Sequence, residues 1–130
     1  MSDFFSSNSM IMLERAAGFQ WTKQRAILDN IANAETPNYK AKYVTFEEAL
    51  RDSIRSAARP GMAGTSMRSA ISAVSPTVHT AVDETFRMDD NGVDVSEQSM
   101  ELVRNAYQVQ HVYRAISGDM SRLLMAIRGQ

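Results

Sequence analysis

Side chains able to do chemistry are few in this chain, and their spacing does not suit catalysis. The two histidines, His79 and His111, stand far apart. His79 falls in a loop-like stretch, and His111 falls on the outward side of a strongly periodic helix, where it reads as an exposed helix residue rather than a ligand or base. Neither has a carboxylate pair near it in sequence. No GxxxxGK loop, HExxH or Gly-rich strand-to-helix turn occurs. Asp89-Asp90-Asn91-Gly92 begins like a calcium loop but lacks the alternating oxygen ligands and the closing Glu, so it reads as a turn. The nine methionines are scattered, which suits gap-filling in a packed interface and not a thioether metal site. With no cysteine, disulfides, thiolate nucleophiles and thiolate-bound metals are excluded. Cell-wall hydrolysis would need paired, pocketed carboxylates, and the sequence offers none. The expectation is a protein that is not an enzyme, with no cofactor, no metal and no small-molecule substrate.

Composition narrows the partners. Fourteen Lys and Arg against fifteen Asp and Glu give a formal charge of −1, so there is no global basic field for nucleic acid or an anionic membrane. Proteins are the expected partners. The 130 residues suffice for one domain and not for two independent cores. Residues 1–12 contain Asp3, no Lys or Arg, and only a short apolar stretch, unlike a cleaved secretory signal. Export, if it occurs, is expected without one.

Two helices should position whatever the chain does. At the C-terminus, Leu102, Ala106, Val109, Tyr113, Ile116, Met120, Leu123 and Ile127 follow one another at alternating steps of four and three, a coiled-coil seam. Asp94, Ser96 and Glu97 signal its start, and Arg122, Arg128 and Gly129 its end, which predicts a helix over 96–128. At the N-terminus, Leu13, Ala17, Gln20, Gln24, Ile27, Ile31 and Ala34 keep the same rhythm, predicting a helix over 10–35 that stops before Pro37. The two inward glutamines fit either a poorly packed surface helix or a register-setting partner.

Between them, residues 36–95 read as a turn, a short helix and a flexible central region. Thr45 and Glu48 have capping-box spacing, and Phe46, Leu50 and Ile54 share one face, predicting a short helix over 46–57. From Ser53 to Val82 no acidic residue occurs, and Ser, Ala, Gly and Thr dominate around Pro60-Gly61 and Pro76. That stretch reads as a mobile or partly extended loop, with a weak strand signal from Val78 to Met88 and the basic residues Arg55, Arg59 and Arg68 either solvated or facing an acidic partner. The expected fold is all-α: two long terminal helices in a coiled-coil-like pair, a short helix and a loose centre, forming one domain over 1–130.

Size adds a constraint. A compact chain of this length is about 36 Å across. The C-terminal helix would be roughly 50 Å long. It cannot be enclosed by its own chain, and Val103 and Leu124 widen its apolar surface beyond what one partner helix covers. Identical subunits are the simplest source of the missing contacts.

The most distinctive segment runs from Asp29 to Lys42. Physically it is a helix end followed by a Pro-led turn: Asn33 can cap carbonyls, Pro37 fixes φ, and Asn38 tolerates a left-handed conformation. Its residues Asn30, Ile31, Ala32, Asn33, Ala34, Thr36, Pro37 and Tyr39 closely resemble the motif of the flagellar rod and hook axial family, at the same distance from the N-terminus. Asp90-Asn91-Gly92-Val93-Asp94, leading into a long last helix, resembles that family's approach to its C-terminal helix. The chain departs from the usual pattern at Asn38, often Gly, and around Gln98-Ser99, where an acidic residue and Met are usual. The short length, the Tyr43-Val44-Thr45-Phe46 segment and the lack of a large middle domain point, within the family, to the small proximal rod subunits.

What the resemblance implies is a subunit exported unfolded through the flagellar type III apparatus, without cleavage. It would then polymerise in the periplasm into the basal-body rod that motility requires. Its partners would be its own copies, FliE, FlgC and the membrane ring. Alternatives are another rod subunit such as FlgC, or a cytoplasmic coiled-coil binding module.

Overall fold

The computed structural model describes residues 8–58, 64–82 and 88–129. Two long antiparallel helices dominate: α1 (Asn8–Ala32) and α4 (Val95–Arg128). Between them come β1 (Lys42–Thr45), α2 (Glu47–Ala57), α3 (Gly64–Ala73) and β2 (Thr77–Thr80). The architecture is all-α apart from one small two-stranded antiparallel ribbon, in which Tyr43 faces His79 and Val44 faces Val78. Among the described residues, no helix is long and apolar enough to cross a membrane.

The helix ends follow from local chemistry. At the start of α4, the Asp94 carboxylate accepts from the backbone amides of Ser96 (2.8 Å) and Glu97 (3.3 Å), satisfying two of the free amides of the first turn. Gly129, at φ 71°, closes the other end by donating its amide to Met125 O. The helix thus spans 34 residues, about 50 Å. The amide of Asn33 closes the last turn of α1 on Asp29 O, and the Asn33 side chain donates to the same carbonyl at 2.8 Å.

Three expectations need correcting. Thr45 does not cap α2: the residue before that helix is Phe46, with no side-chain cap, and the Thr45 hydroxyl instead lies 2.8 Å from His79 Nε2 across the ribbon. The ring of His79 stacks on Tyr43, so it belongs to a strand and not a loop. Where composition predicts a loose stretch, the structure also places α3. Ile71 and Val74 are buried there, and the hydroxyl and methyl side chains around them are small enough to let α3 pack on α1 and α2. Arg59 and Pro60-Gly61, and residues 83–87 of the strand signal, lie outside the described residues.

A small core fixes this middle portion to one side of α1. Phe19 and Phe46 stack with centroids 5.1 Å apart, Val74 joins them, and Val44 and Leu50 pack against the cluster. Such burial and stacking are the main attraction available to so small a unit. α4 receives no share of that core. It packs chiefly on α1.

Candidate assembly site

The two segments that carried the family resemblance meet in space. Asn91 is fully buried, and its amide donates to the carbonyls of Asn33 (3.0 Å), Ala34 (3.2 Å) and Thr36 (2.7 Å), while its Oδ1 accepts from Val93 N (2.7 Å). The turn that leads into α4 thereby gives the carbonyls at the end of α1 a buried side-chain donor, beside the backbone bonds from Thr36 N to Asn33 O and from Tyr39 N to Thr36 O. Asn38 and Asp90 both adopt left-handed backbone, at φ 60° and 59°. The turns they make lie back to back, joined by Asn38 N to Asp89 O (3.0 Å) and Gly92 N to Tyr39 O (2.9 Å). Asn and Asp tolerate that conformation better than other non-glycine residues. The Asp89–Gly92 segment is therefore a structural clasp on the end of α1.

Asn30, also fully buried, ties the same end of α1 to β1 and α4. Its Oδ1 accepts from Lys42 N at 2.8 Å, and its Nδ2 donates to Lys42 O at 2.7 Å and Gln98 Oε1 at 3.0 Å. Gln98 acts here purely as an acceptor, a role that a carboxylate could equally fill. Beside it, Lys42 Nζ donates to Asp29 at 3.3 Å, and this hydrogen bond, with Tyr39 nearby, holds the ammonium pKa above its ordinary value. Of the motif residues, Asn30, Asn33, Ala34, Thr36 and Tyr39 take part in this network. Ile31 is half-buried, while Ala32 and Pro37 are exposed.

Further along the helix pair the contact is polar at its centre. Asn105, 0 % exposed and the only buried residue of α4, donates to Gln20 O (3.1 Å) and Gln20 Oε1 (2.8 Å). One turn away, Lys23 Nζ meets Glu101 Oε2 at 2.9 Å, and Arg104 also reaches the Glu101 carboxylate. The Lys23 hydrogen bond, joined by the Arg104 charge, holds Glu101 below the usual carboxylate range. Near the far end, Ser9 donates to Asp119 at 2.9 Å. The inward Gln20 thus lies in a buried contact between the two helices and not on a poorly packed surface.

The periodic seam of α4 divides between two surfaces. Leu102, Val109, Ile116 and Leu123 are half-buried, on the side that also carries Asn105, Val112 and Asp119 toward α1. Ala106, Tyr113, Met120 and Ile127 are exposed. On α1, Leu13, Ala17 and Ile31 are half-buried and Ile27 is buried. The outward surface of α4 also bears Met100, Val103, Tyr107 (65 % exposed) and Leu124, and a shallow depression between Val103, Ala106, Tyr107 and Gln110. On α1, Trp21 (55 %) and Leu28 stand exposed as well. Trp21, Tyr107 and Asn105 escaped the sequence reading, and Asn91 entered it only as part of a turn; Asn105 could have been found, because Leu102, Asn105, Val109, Val112 and Ile116 keep a second four-three rhythm that shares Leu102, Val109 and Ile116 with the first.

No protein-family model matches the chain. It is 29% identical over 126 residues to the flagellar basal body rod protein FlgB of Bacillus subtilis (strain 168), covering 95% of each chain. It is 30% identical over 111 residues to the flagellar basal body rod protein FlgB of Aeromonas hydrophila, covering 83% of each. The chain belongs to the FlgB family of flagellar basal body rod proteins. In this FlgB-family chain α4 is long and sparsely buried. Much of that helix is presented as exposed apolar surface.

Proposed function

We propose that the chain is a structural subunit of the flagellar basal-body proximal rod, working by self-assembly through its terminal helices and not by catalysis. One observation carries the reading: α4 is 34 residues long, packs chiefly on α1, buries only Asn105, and turns Val103, Tyr107, Tyr113, Met120 and Leu124 outward. A row of large apolar groups on a helix of that length is a binding surface. In the rod it would be covered by neighbouring copies and by other axial subunits, FlgC and FliE being the candidates, with the membrane ring at the base. The reading places the subunit in the periplasm, after export in an unfolded state by the type III apparatus and without cleavage. The 1–130 chain would then act as one axial domain in support of motility.

Purified basal bodies test this directly. Cells lacking the gene should lose rods and swimming, and a tagged copy should restore both and co-purify with basal bodies. Recovery of the tagged chain only from cytoplasm, at fixed stoichiometry with one client, would sink the proposal.

A further inference from the structure

Resting on the rod-subunit reading, a particular contact between copies can be derived from the two exposed stripes. On α1, Glu14, Trp21 and Leu28 recur every seven residues, all exposed, on a flank beside the α4 contact. On α4, Met100, Tyr107 and Arg114 recur at the same interval, all exposed, on the side opposite the residues that face α1. Seven residues advance a helix by about 10 Å, so both stripes present groups at matched spacing. In antiparallel alignment the order is complementary: Glu14 meets Arg114, Trp21 meets Tyr107, and Leu28 meets Met100. Among the described residues neither Glu14 nor Arg114 has a salt bridge within the chain, and residues 102–118 of α4 contain no Asp or Glu.

We propose that the Glu14-Trp21-Leu28 stripe of α1 docks antiparallel on the Met100-Tyr107-Arg114 stripe of α4 in a second copy of this chain. The pair places an aromatic contact at its centre, an apolar contact at one end and an ion pair at the other, the arrangement that concentrates binding energy in a few large side chains. Two different patches meet, so the contact is heterologous. It leaves one copy with its α4 stripe unused and the other with its α1 stripe unused, and so propagates instead of closing into a dimer. Gly18, with open space around its Cα, allows the neighbouring helix to come close on one side of the contact, opposite His111.

The cysteine-free chain makes the test direct. Gly18→Cys and His111→Cys copies, co-expressed as the sole source of the subunit, should form a mixed disulfide dimer in oxidised basal bodies, while either variant alone should form none. Independently, Glu14→Arg or Arg114→Glu should lower incorporation into basal bodies roughly fivefold, the scale of an exposed ion pair lost and reversed. The two changes combined in one chain should restore it. Homotypic dimers of either cysteine variant, or no rescue by the combined change while the single variants still assemble, would overturn this contact and leave the rod reading standing. Failure of the unaltered chain to enter basal bodies would overturn both.

Discussion

Asn105 of α4 gives both its amide protons to Gln20 of α1, one to the backbone carbonyl at 3.1 Å and one to the side-chain oxygen at 2.8 Å, in a fully buried position. The pair sits where the helices are otherwise joined by half-buried Leu102, Val109 and Val112. A polar contact in such a place limits which neighbours can lie opposite each other, because any slip leaves buried amide groups unpaired. Asn105→Ala should destabilise the isolated subunit by about 1–3 kcal/mol in denaturant melts. Gln20→Leu combined with Asn105→Leu should recover most of that stability and lose register. A disulfide between Ser9→Cys and Asp119→Cys reports register, since those side chains are in contact. It should form readily in the parent background and poorly in the double-leucine one; equal formation would show that Gln20 and Asn105 do not set the register.

Asn91 makes a stricter demand. Its amide serves three carbonyls at the end of α1, so removing it deletes the bonds that tie that end to the turn before α4. Asn91→Ala should cost about 1–3 kcal/mol. Asn91→Asp should cost more at neutral pH, because a carboxylate would face three carbonyl oxygens, and its deficit should shrink in acid as the carboxyl becomes protonated. Urea melts of both variants at pH 7 and pH 4 decide it. An Asp variant as stable as the Ala variant at pH 7 would contradict the clasp.

The terminal helices were legible because their signals are local. Asp94 and Gly129 cap α4 where the sequence expects them, and Pro37 lies just beyond the end of α1. The side of α4 that meets α1 was less legible. Leu102, Val109, Ile116 and Leu123 belong to two overlapping seams, one completed by apolar Ala106, Tyr113, Met120 and Ile127, the other by Asn105, Val112 and Asp119. Hydrophobicity favours the first, but Gln20 and Ser9 on the facing helix supply partners for Asn105 and Asp119 of the second, and that information is not local. α3 escaped for a related reason: Ile71 and Val74 are isolated large apolar residues among Ser and Ala, and the Phe19–Phe46 stack that Val74 joins is distant in sequence.

The Lys23–Glu101 bridge gives a pH dependence of known sign. Glu101 is held below its ordinary pKa in the folded chain, so its contribution is present above the unfolded carboxylate value and disappears as pH falls through the folded one. Glu101→Gln should therefore lower stability at pH 7, by under about 1 kcal/mol for a partly exposed pair. The gap to the parent should close on acidification below the ordinary glutamate range. A gap that widens in acid would mean that the bridge is not the cause.

Burial along α4 separates two kinds of defect that the apolar pattern alone would merge. Val109 and Ile116 are half-buried on the side that faces α1, whereas Val103 and Tyr107 are exposed on the other. An Asp at Val109 or Ile116 must lose water or part the two helices, which costs several kcal/mol within the subunit itself. Val109→Asp and Ile116→Asp should therefore lower the unfolding midpoint of the isolated chain and reduce its level in cells. Val103→Asp and Tyr107→Asp should leave the isolated chain within about 0.5 kcal/mol of the parent, as surface changes usually do. They should still exclude it from basal bodies, because the proposed contact covers the same side chains with a neighbouring copy. Ala115→Asp, exposed on the other flank of α4, should affect neither. Melting the purified variants and quantifying each in cell extract and in basal bodies separates the cases. If Val103→Asp and Tyr107→Asp assemble as well as Ala115→Asp, the outward stripe of α4 is not an assembly surface.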